Sequence, residues 1–142
     1  MSEASVVVRT PLEIYRRFQQ CLIQGTFEQL PEVVDVEGYT ENCVGLTGWT
    51  TGLSVALNNF RKNVASALTE MNSTEEDVMQ GTDSLVIRSR MEATHSGTFL
   101  GIGPTRRRVN YDAVDMIRVK NERIVWRFLL CDWHGVQQQL RS

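Results

Sequence analysis

Apolar residues in the first half of the chain recur at helical spacing. The segment 10–13 (Thr-Pro-Leu-Glu) predicts a helix start, because Thr10 and Glu13 can cap free amide groups and proline suits the first turn. One apolar stripe runs from there to Leu22, and Gly25 ends it. A second stripe predicts the longest helix, with Leu53, Leu57, Phe60, Val64, Ala67, Leu68 and Met71. Between them the sequence predicts a short helix from Thr26 to Pro31, an extended piece from Tyr39 to Val44 and turns over 45–52.

After residue 72 the apolar positions alternate. In the segment 85–94, one face of a half-exposed strand is formed by Leu85, Ile87, Ser89, Met91 and Ala93. Two more strands are predicted at about Arg107–Val119 and Arg123–Cys131, beyond a glycine-containing bend at 97–105, and a last helix at Trp133–Leu140. Helices come first and strands last, so residues 1–142 are predicted to form one α+β domain with an antiparallel sheet.

Composition and charge exclude several classes of protein. Hydrophobic residues make up 42% and charged residues 23% of the chain, as in ordinary globular proteins. The net charge of −2 gives no electrostatic basis for binding nucleic acid or an anionic membrane. The first nine residues do not form a secretory signal, and no segment approaches the ~20 apolar residues of a membrane span.

The cysteines and histidines give no sign of a disulfide framework or a metal site. Cys21, Cys43 and Cys131 are odd in number and far apart, so we expect reduced thiols in a cytoplasmic protein. The two histidines have no metal-ligand spacing, and no glycine-rich phosphate loop is present in the sequence. We therefore expect no cofactor and no metal.

Three motifs of the second half resemble those of the SnoaL-like polyketide cyclases. The bend 94–105, THSGTFLGIGPT, is similar to the family pattern THxGxFxGxxPTG. The paired segments 114–119 and 123–126 resemble two family strands, and 132–140 resembles the closing D…GlxxQL. The resemblance implies the nuclear transport factor 2-like fold: N-terminal helices pack across a curved sheet and form a cone-shaped pocket. It also implies a small hydrophobic ligand and a homodimer.

Asp132 is the predicted catalytic residue. It ends an apolar strand and, counted in twos, shares a face with Ile124, Trp126, Phe128 and Leu130. A carboxylate at the rim of such a surface is partly desolvated, which suits acid–base work. In the cyclases that this chain resembles, the matching Asp is the acid–base group of an intramolecular aldol closure. Those cyclases also have a His two residues before this Asp, and this chain has Leu130 at that position. Alternatively, Asp132 caps the last helix.

The register of the last hairpin decides which residues join Asp132. A two-residue turn would pair Lys120 with Arg123 and place Asp115 inside the pocket. A three-residue loop with a bulge would pair Val119 with Arg123 and place Asp115 outside. We favour the bulged loop because the resembling family has glycine at position 122.

In the favoured register, Met116 and Arg118 face the pocket. Arg118 is then the predicted charge partner or oxyanion donor beside Asp132. Beyond these catalytic candidates, the predicted substrate-contacting residues are Asn42, His95, Met116, Trp126, Phe128 and Leu130. Both Asn42 and His95 match motif positions of the family, whereas a structural hydrogen-bonding role is the alternative for His95.

Two functions are compatible with this pattern. One is a cofactor-independent cyclase, isomerase or hydrolase that acts on a hydrophobic carbonyl compound through Asp132. The other is a non-catalytic binding or dimerisation domain of the same fold. On the face predicted to lie opposite Asp132, a partner sheet is expected to cover Ile117, Val125, Leu129 and Cys131.

Overall fold

The computed structural model describes residues 8–142. Its elements are helix α1 (Pro11–Gln24), a short 3-10 helix (Phe27–Glu32), strands β1 (Thr40–Cys43) and β2 (Gly48–Thr51), helix α2 (Leu53–Phe60) with a π-helical turn (Arg61–Ala65), strands β3 (Leu68–Gln80), β4 (Ser84–His95), β5 (Arg108–Lys120) and β6 (Arg123–Cys131), and helix α3 (Trp133–Arg141). The predicted α+β class is therefore confirmed. The predicted start of α1 is confirmed too: the backbone amide of Glu13 donates to Thr10 Oγ1 at 3.2 Å, and Gly25 ends the helix with φ +74°.

The six strands form one curved, unclosed sheet in the order β2-β1-β6-β5-β4-β3. All neighbours are antiparallel except β1 and β6, which run parallel. The sheet is thus mixed rather than antiparallel throughout, because β1 enters from the helical half and pairs with the free edge of the last strand. The predicted turns over 45–52 also contain β2, which pairs with β1.

The second helix is shorter than predicted. It ends at Phe60, and after the π-helical turn the chain enters β3 at Leu68, which pairs with His95. Ala67 and Leu68 are buried as their apolar character predicts, but Ala67 lies in a turn and Leu68 begins the strand. The carbonyl of Ala67 accepts the backbone amides of Ser96 and Gly97 at 2.8 and 3.2 Å, so long-range pairing overrides the local helical pattern.

The last hairpin has the two-residue turn. Lys120 pairs with Arg123, and both Asn121 (φ 51°) and Glu122 (φ 58°) lie in the left-handed region, as a type I′ turn requires. The favoured pairing of Val119 with Arg123 is therefore wrong. Asp115 faces the pocket, as the two-residue alternative requires.

A bulge in β6 follows this turn and decides which side chains face inward. Val119 pairs with Ile124 but Arg118 pairs with Trp126, so Val125 is an extra residue. Because side chains alternate along a strand, one extra residue exchanges the two faces from that point onward. Inward-facing residues of β6 are consequently Arg127, Leu129 and Cys131.

All three helices pack on one side of the sheet, here called the helix-covered face; the other side is the open face. One buried cluster joins α1 to the sheet through Ile14, Tyr15, Phe18, Cys21, Leu85, Ile87, Ile117 and Ile124. Another joins α3 to it through Ala93, Val109, Tyr111, Val136 and Leu140. The candidate site lies between the two clusters. No helix within residues 8–142 is both long enough and apolar enough to cross a membrane.

Candidate functional site

A cavity opens between the helices and the helix-covered face of the sheet. The space between them is about 900 Å³ when open solvent at the mouth is included. Most of its wall is apolar or aromatic, with contributions from Phe18, Leu22, Leu30, Leu57, Met91 and Tyr111. The π-helical turn adds Asn63 and Val64 to the wall. Turns of this kind are frequent at functional sites.

A pair of opposite charges lies in this wall, on the neighbouring strands β5 and β6. Asp115 is 3% exposed and Arg127 6% exposed. Arg127 Nε donates to Asp115 Oδ1 at 2.7 Å and Nη2 donates to Oδ2 at 3.0 Å. From α1, the Tyr15 hydroxyl donates to Asp115 Oδ2 at 2.8 Å. The pair is thus bidentate, which is the strongest geometry for an arginine and a carboxylate.

A second carboxylate reaches the same arginine from β1. Glu41 is directly opposite Arg127 in the parallel pair and is 5% exposed. Its Oε1 accepts the Tyr39 hydroxyl at 2.5 Å and lies 3.5 Å from Arg127 Nη1, while its Oε2 accepts the Cys43 thiol at 3.5 Å. Glu41, Asp115 and Arg127, with Tyr15 and Tyr39, are called the buried charge cluster below.

The buried charge cluster has two acids for one base. With all three groups ionised its formal charge is −1, which is costly in a water-poor wall unless hydrogen bonds compensate. Burial is the largest single influence and lowers the pKa of Arg127, but the Asp115 charge and hydrogen bonds, together with Tyr39 and Cys43, raise the pKa well above its usual range.

The neighbouring acids of the wall stay protonated. Burial, followed by the Glu41 charge, raises the pKa of Tyr39 well above 10. Burial, followed by the Asp115 charge, does the same for Tyr15. Burial raises the pKa of Cys43 to about 12. At neutral pH these phenols and this thiol therefore act as hydrogen-bond donors to the carboxylates.

Asp132 does not line the cavity. It is exposed and lies just before α3, where its Oδ1 accepts the backbone amide of Gly135 at 2.9 Å. Its predicted position at the pocket rim is wrong because the bulge at Val125 exchanges the faces of β6. The alternative interpretation, a helix cap, is confirmed. The next residue, Trp133, lines the cavity instead and donates through Nε1 to the Val44 carbonyl at 3.1 Å.

Five other predicted site residues lie on the open face, so their predicted position in the pocket is wrong as well: Met116, Arg118, Trp126, Phe128 and Leu130. Met116 is 38% and Leu130 49% exposed. The guanidinium carbon of Arg118 lies 5.1 Å from the Trp126 ring centre. Trp49 of β2 packs there too, 5.7 Å from Trp126 and 6.2 Å from Phe128 between ring centres. We call Trp49, Met116, Trp126, Phe128 and Leu130 the aromatic face.

Asn42 and His95 also lie outside the cavity. Asn42 is paired with Trp49 on one side and Phe128 on the other, and within residues 8–142 its buried Oδ1 has no hydrogen-bond partner. His95 is fully buried: Nδ1 accepts the Thr105 backbone amide at 3.1 Å, and Nε2 contacts the Ile102 carbonyl at 3.2 Å. Its position fits the structural alternative, since it fastens the bend 97–105.

The sequence contains a partial signal for the residues that were missed. Arg127 stands among Trp126, Phe128 and Leu129 in β6, and Asp115 stands between Val114 and Met116 in the neighbouring strand β5. Charged residues are seldom fully buried unless they are paired, so opposite charges with apolar neighbours on adjacent strands indicate a buried pair. The role of Glu41 requires the parallel pairing of β1 and β6, which alternation does not reveal.

Comparisons with known proteins agree with this architecture. The model of the family described as SnoaL-like polyketide cyclase matches residues 12–140. A solved SnoaL-like polyketide cyclase from Agrobacterium tumefaciens is 20% identical, with a TM-score of 0.76 over 94% of this chain and 99% of that one. IdmH from Streptomyces antibioticus is 23% identical, with a TM-score of 0.81 over 94% and 100%. At these identities the structural likeness establishes the fold alone. Among curated proteins, none matches.

Proposed function

The chain belongs to the SnoaL-like polyketide cyclase family, and we propose that its cavity binds a small, largely apolar carbonyl compound on which the buried charge cluster moves a proton. The observation that carries this proposal is the cluster itself. Two carboxylates and a guanidinium line an apolar cavity, where their electrostatic effect on a bound molecule is larger than in water.

The chemistry needs no cofactor. A carboxylate removes a proton from the carbon beside a carbonyl, and a neighbouring cation stabilises the enolate oxygen. The cluster offers both groups within 3.5 Å of each other, in Glu41 and Arg127. Isomerisation and ring closure both proceed through such an enolate. Asp132 remains the competing candidate, and its exposed position before α3 is the reason to assign the chemistry to the cluster.

The alternative proposal is a binding domain without catalysis. The Asp115–Arg127 pair would then serve only to join β5 to β6, and the cavity would hold a ligand unchanged. Binding without turnover by the wild-type protein is the result that would favour this alternative.

A cavity-filling substitution tests the binding site. Leu129 and Leu130 are adjacent, but Leu129 lines the cavity while Leu130 lies on the open face. With 2-tetralone as an apolar ketone probe, Leu129→Trp should weaken binding at least about tenfold, because lost apolar contact and occupied volume each cost more than 1 kcal/mol. Leu130→Trp is the matched control and should bind like the wild type. NMR titration measures both, and equal affinities would contradict the proposed site.

We also propose that two copies associate through the aromatic face. The residues expected to meet a partner sheet, Ile117, Leu129 and Cys131, face the helices or the cavity, so the predicted face is replaced by the opposite one. Exposed aromatic side chains gathered on an open sheet support this assignment. Free thiols at Cys21, Cys43 and Cys131 support the expected cytoplasmic location.

A further inference from the structure

The two carboxylates of the buried charge cluster differ in the hydrogen bonds that their oxygens accept. Both oxygens of Asp115 accept charged or hydroxyl donors: Oδ1 from Arg127 Nε, and Oδ2 from Arg127 Nη2 and the Tyr15 hydroxyl. These three bonds are 2.7–3.0 Å long. Within residues 8–142 only Oδ1 of Asp115 keeps a lone pair without a partner, and that oxygen is already bound by the guanidinium of Arg127.

Glu41 has one oxygen held and one nearly unoccupied. Oε1 accepts the Tyr39 hydroxyl and lies beside Arg127. Among the residues that the structure describes, Oε2 has a single hydrogen-bond partner, the Cys43 thiol at 3.5 Å, and a thiol is a weak donor. Glu41 is 5% exposed and lines the cavity. A ligand in the cavity can therefore reach Oε2 without displacing a strong hydrogen bond.

We propose that Glu41 is the catalytic residue that carries the proton, through Oε2, and that the substrate is a carbonyl compound able to form an enolate. This assignment rests on the proposed function, in which the cavity binds such a compound. Asp115 then acts by holding Arg127 in place beside Glu41.

The step balances without any other reactant. Oε2 takes the proton from the carbon next to the carbonyl, and the electron pair of that C–H bond forms the C=C bond of the enolate. The carbonyl π electrons move to oxygen, which becomes negative near Arg127. In an isomerisation the Glu41 carboxyl returns the proton to another carbon. In a ring closure the enolate carbon attacks a second carbonyl, and the proton goes to the new alkoxide oxygen. Glu41 ends as a carboxylate in both cases.

The charge of the cluster favours this step. Before the transfer, the negative charge not paired by Arg127 is on Glu41; afterwards it is on the enolate, and Glu41 is neutral. The total charge of cluster and substrate stays at −1, so no additional charge is buried as the reaction proceeds.

Solvent deuterium exchange provides the test. With 2-tetralone in D₂O, proton NMR follows loss of the hydrogens next to the carbonyl, and a titration of the same samples gives the Kd. The wild type should accelerate exchange, and Glu41→Gln should reduce that acceleration by a factor of roughly 10²–10⁴. The Kd of the variant should change less than about threefold. Asp112→Asn, which removes an exposed carboxylate of β5 outside the cavity wall, is the control and should exchange like the wild type.

Each of the other results would overturn a specific part of the proposal. Binding and fast exchange in Glu41→Gln overturn the Glu41 assignment and leave the proposed function standing. Loss of exchange in Asp132→Asn, the variant of the competing candidate, also overturns it. A wild type that does not bind the probe, or binds it without acceleration, contradicts the proposed function and with it this assignment. If circular dichroism shows that Glu41→Gln does not fold, Glu41→Asp replaces it in the test. This variant keeps the negative charge but moves the carboxylate away from the substrate by one methylene. Exchange as fast as in the wild type would then refute the role of Glu41 as proton carrier.

Discussion

The two faces of the sheet are built from alternate residues of the same strands, yet they differ in chemistry. From β6, the helix-covered face receives Arg127, Leu129 and Cys131. The open face receives Trp126, Phe128 and Leu130 from the same strand. Charge is thus buried on one side, and half-buried aromatic rings and the exposed Leu130 lie on the other. Buried polar groups and exposed apolar patches are the informative exceptions to ordinary burial, and here they mark a candidate chemical site and a candidate contact surface.

The largest expected effect comes from removing the inner arginine. Arg127→Met leaves Asp115 and Glu41 buried without their cation, which should lower the free energy of unfolding by about 3–5 kcal/mol. Arg118→Met, on the neighbouring strand but the open face, removes only a contact with Trp126 and should cost at most about 1 kcal/mol. Urea unfolding followed by circular dichroism measures both. Similar losses of unfolding free energy in the two variants would show that charge is not more important for stability on the helix-covered face than on the open face.

Alkaline pH should also act through the helix-covered face. Five acidic groups with raised pKa line the cavity: Tyr15, Tyr39, Cys43, Tyr111 and Cys131. As pH rises past the ordinary values of 9.0 for cysteine and 10.0 for tyrosine, the unfolded chain loses these protons while the folded chain keeps them. The stabilisation is therefore complete below pH 9 and is lost above it, by up to about 1.4 kcal/mol per pH unit for each group.

Urea unfolding at pH 8, 9, 10 and 11 under reducing conditions measures this slope. The double variant Cys43→Ala with Cys131→Ala should flatten the curve between pH 9 and 10, where thiols dominate. A free energy of unfolding that stays constant from pH 8 to 11 would contradict the prediction.

A charge on the open face should separate the proposed dimer. Phe128→Lys places an ammonium group among Trp49 and Trp126, and loss of a central aromatic contact typically costs 2 kcal/mol or more in binding, about 30-fold in Kd. Sedimentation should show a dimer for the wild type and a shift towards monomer for the variant. Arg88→Lys, exposed on β4, is a neutral control. A wild-type monomer at tens of micromolar protein would refute the proposed association.

The smallest effect is expected at Asp132, where β6 passes into α3. Asp132→Ala removes a helix cap and should cost about 1 kcal/mol, whereas Asp132→Asn should be nearly neutral because asparagine caps equally well. Thermal unfolding of both variants checks this. A loss of stability in Asp132→Asn as large as in the alanine variant would mean that the charge, rather than the cap, is needed.

Local patterns predicted the helices and strands that have one buried face and one exposed face. In β4, all five residues predicted to share a face are buried: Leu85, Ile87, Ser89, Met91 and Ala93. The capping residues of α1 and the span of α3 follow from the sequence in the same way. Alternation carries this information because each residue of such a strand meets either core or solvent.

The candidate site could not be predicted because it depends on long-range geometry. One bulged residue, Val125, reverses the face of every later residue of β6, and no local pattern marks it. Counting in twos therefore placed Asp132 and Phe128 inside and Leu129 outside. Glu41 becomes part of the site only because β1 pairs in parallel with β6.

That parallel pair has a consequence for the order of folding. Residues 40–43 meet residues 126–129, so Glu41 and Arg127 come together only after almost all of the chain between them has been arranged. Contacts between distant segments carry a large loop-closure entropy and form slowly, whereas the β3–β4 and β5–β6 hairpins can form early. The candidate catalytic pair should thus be among the last contacts made during refolding. A ribosome-bound chain that lacks its final strand could already have a helical half and hairpins, but no reactive centre.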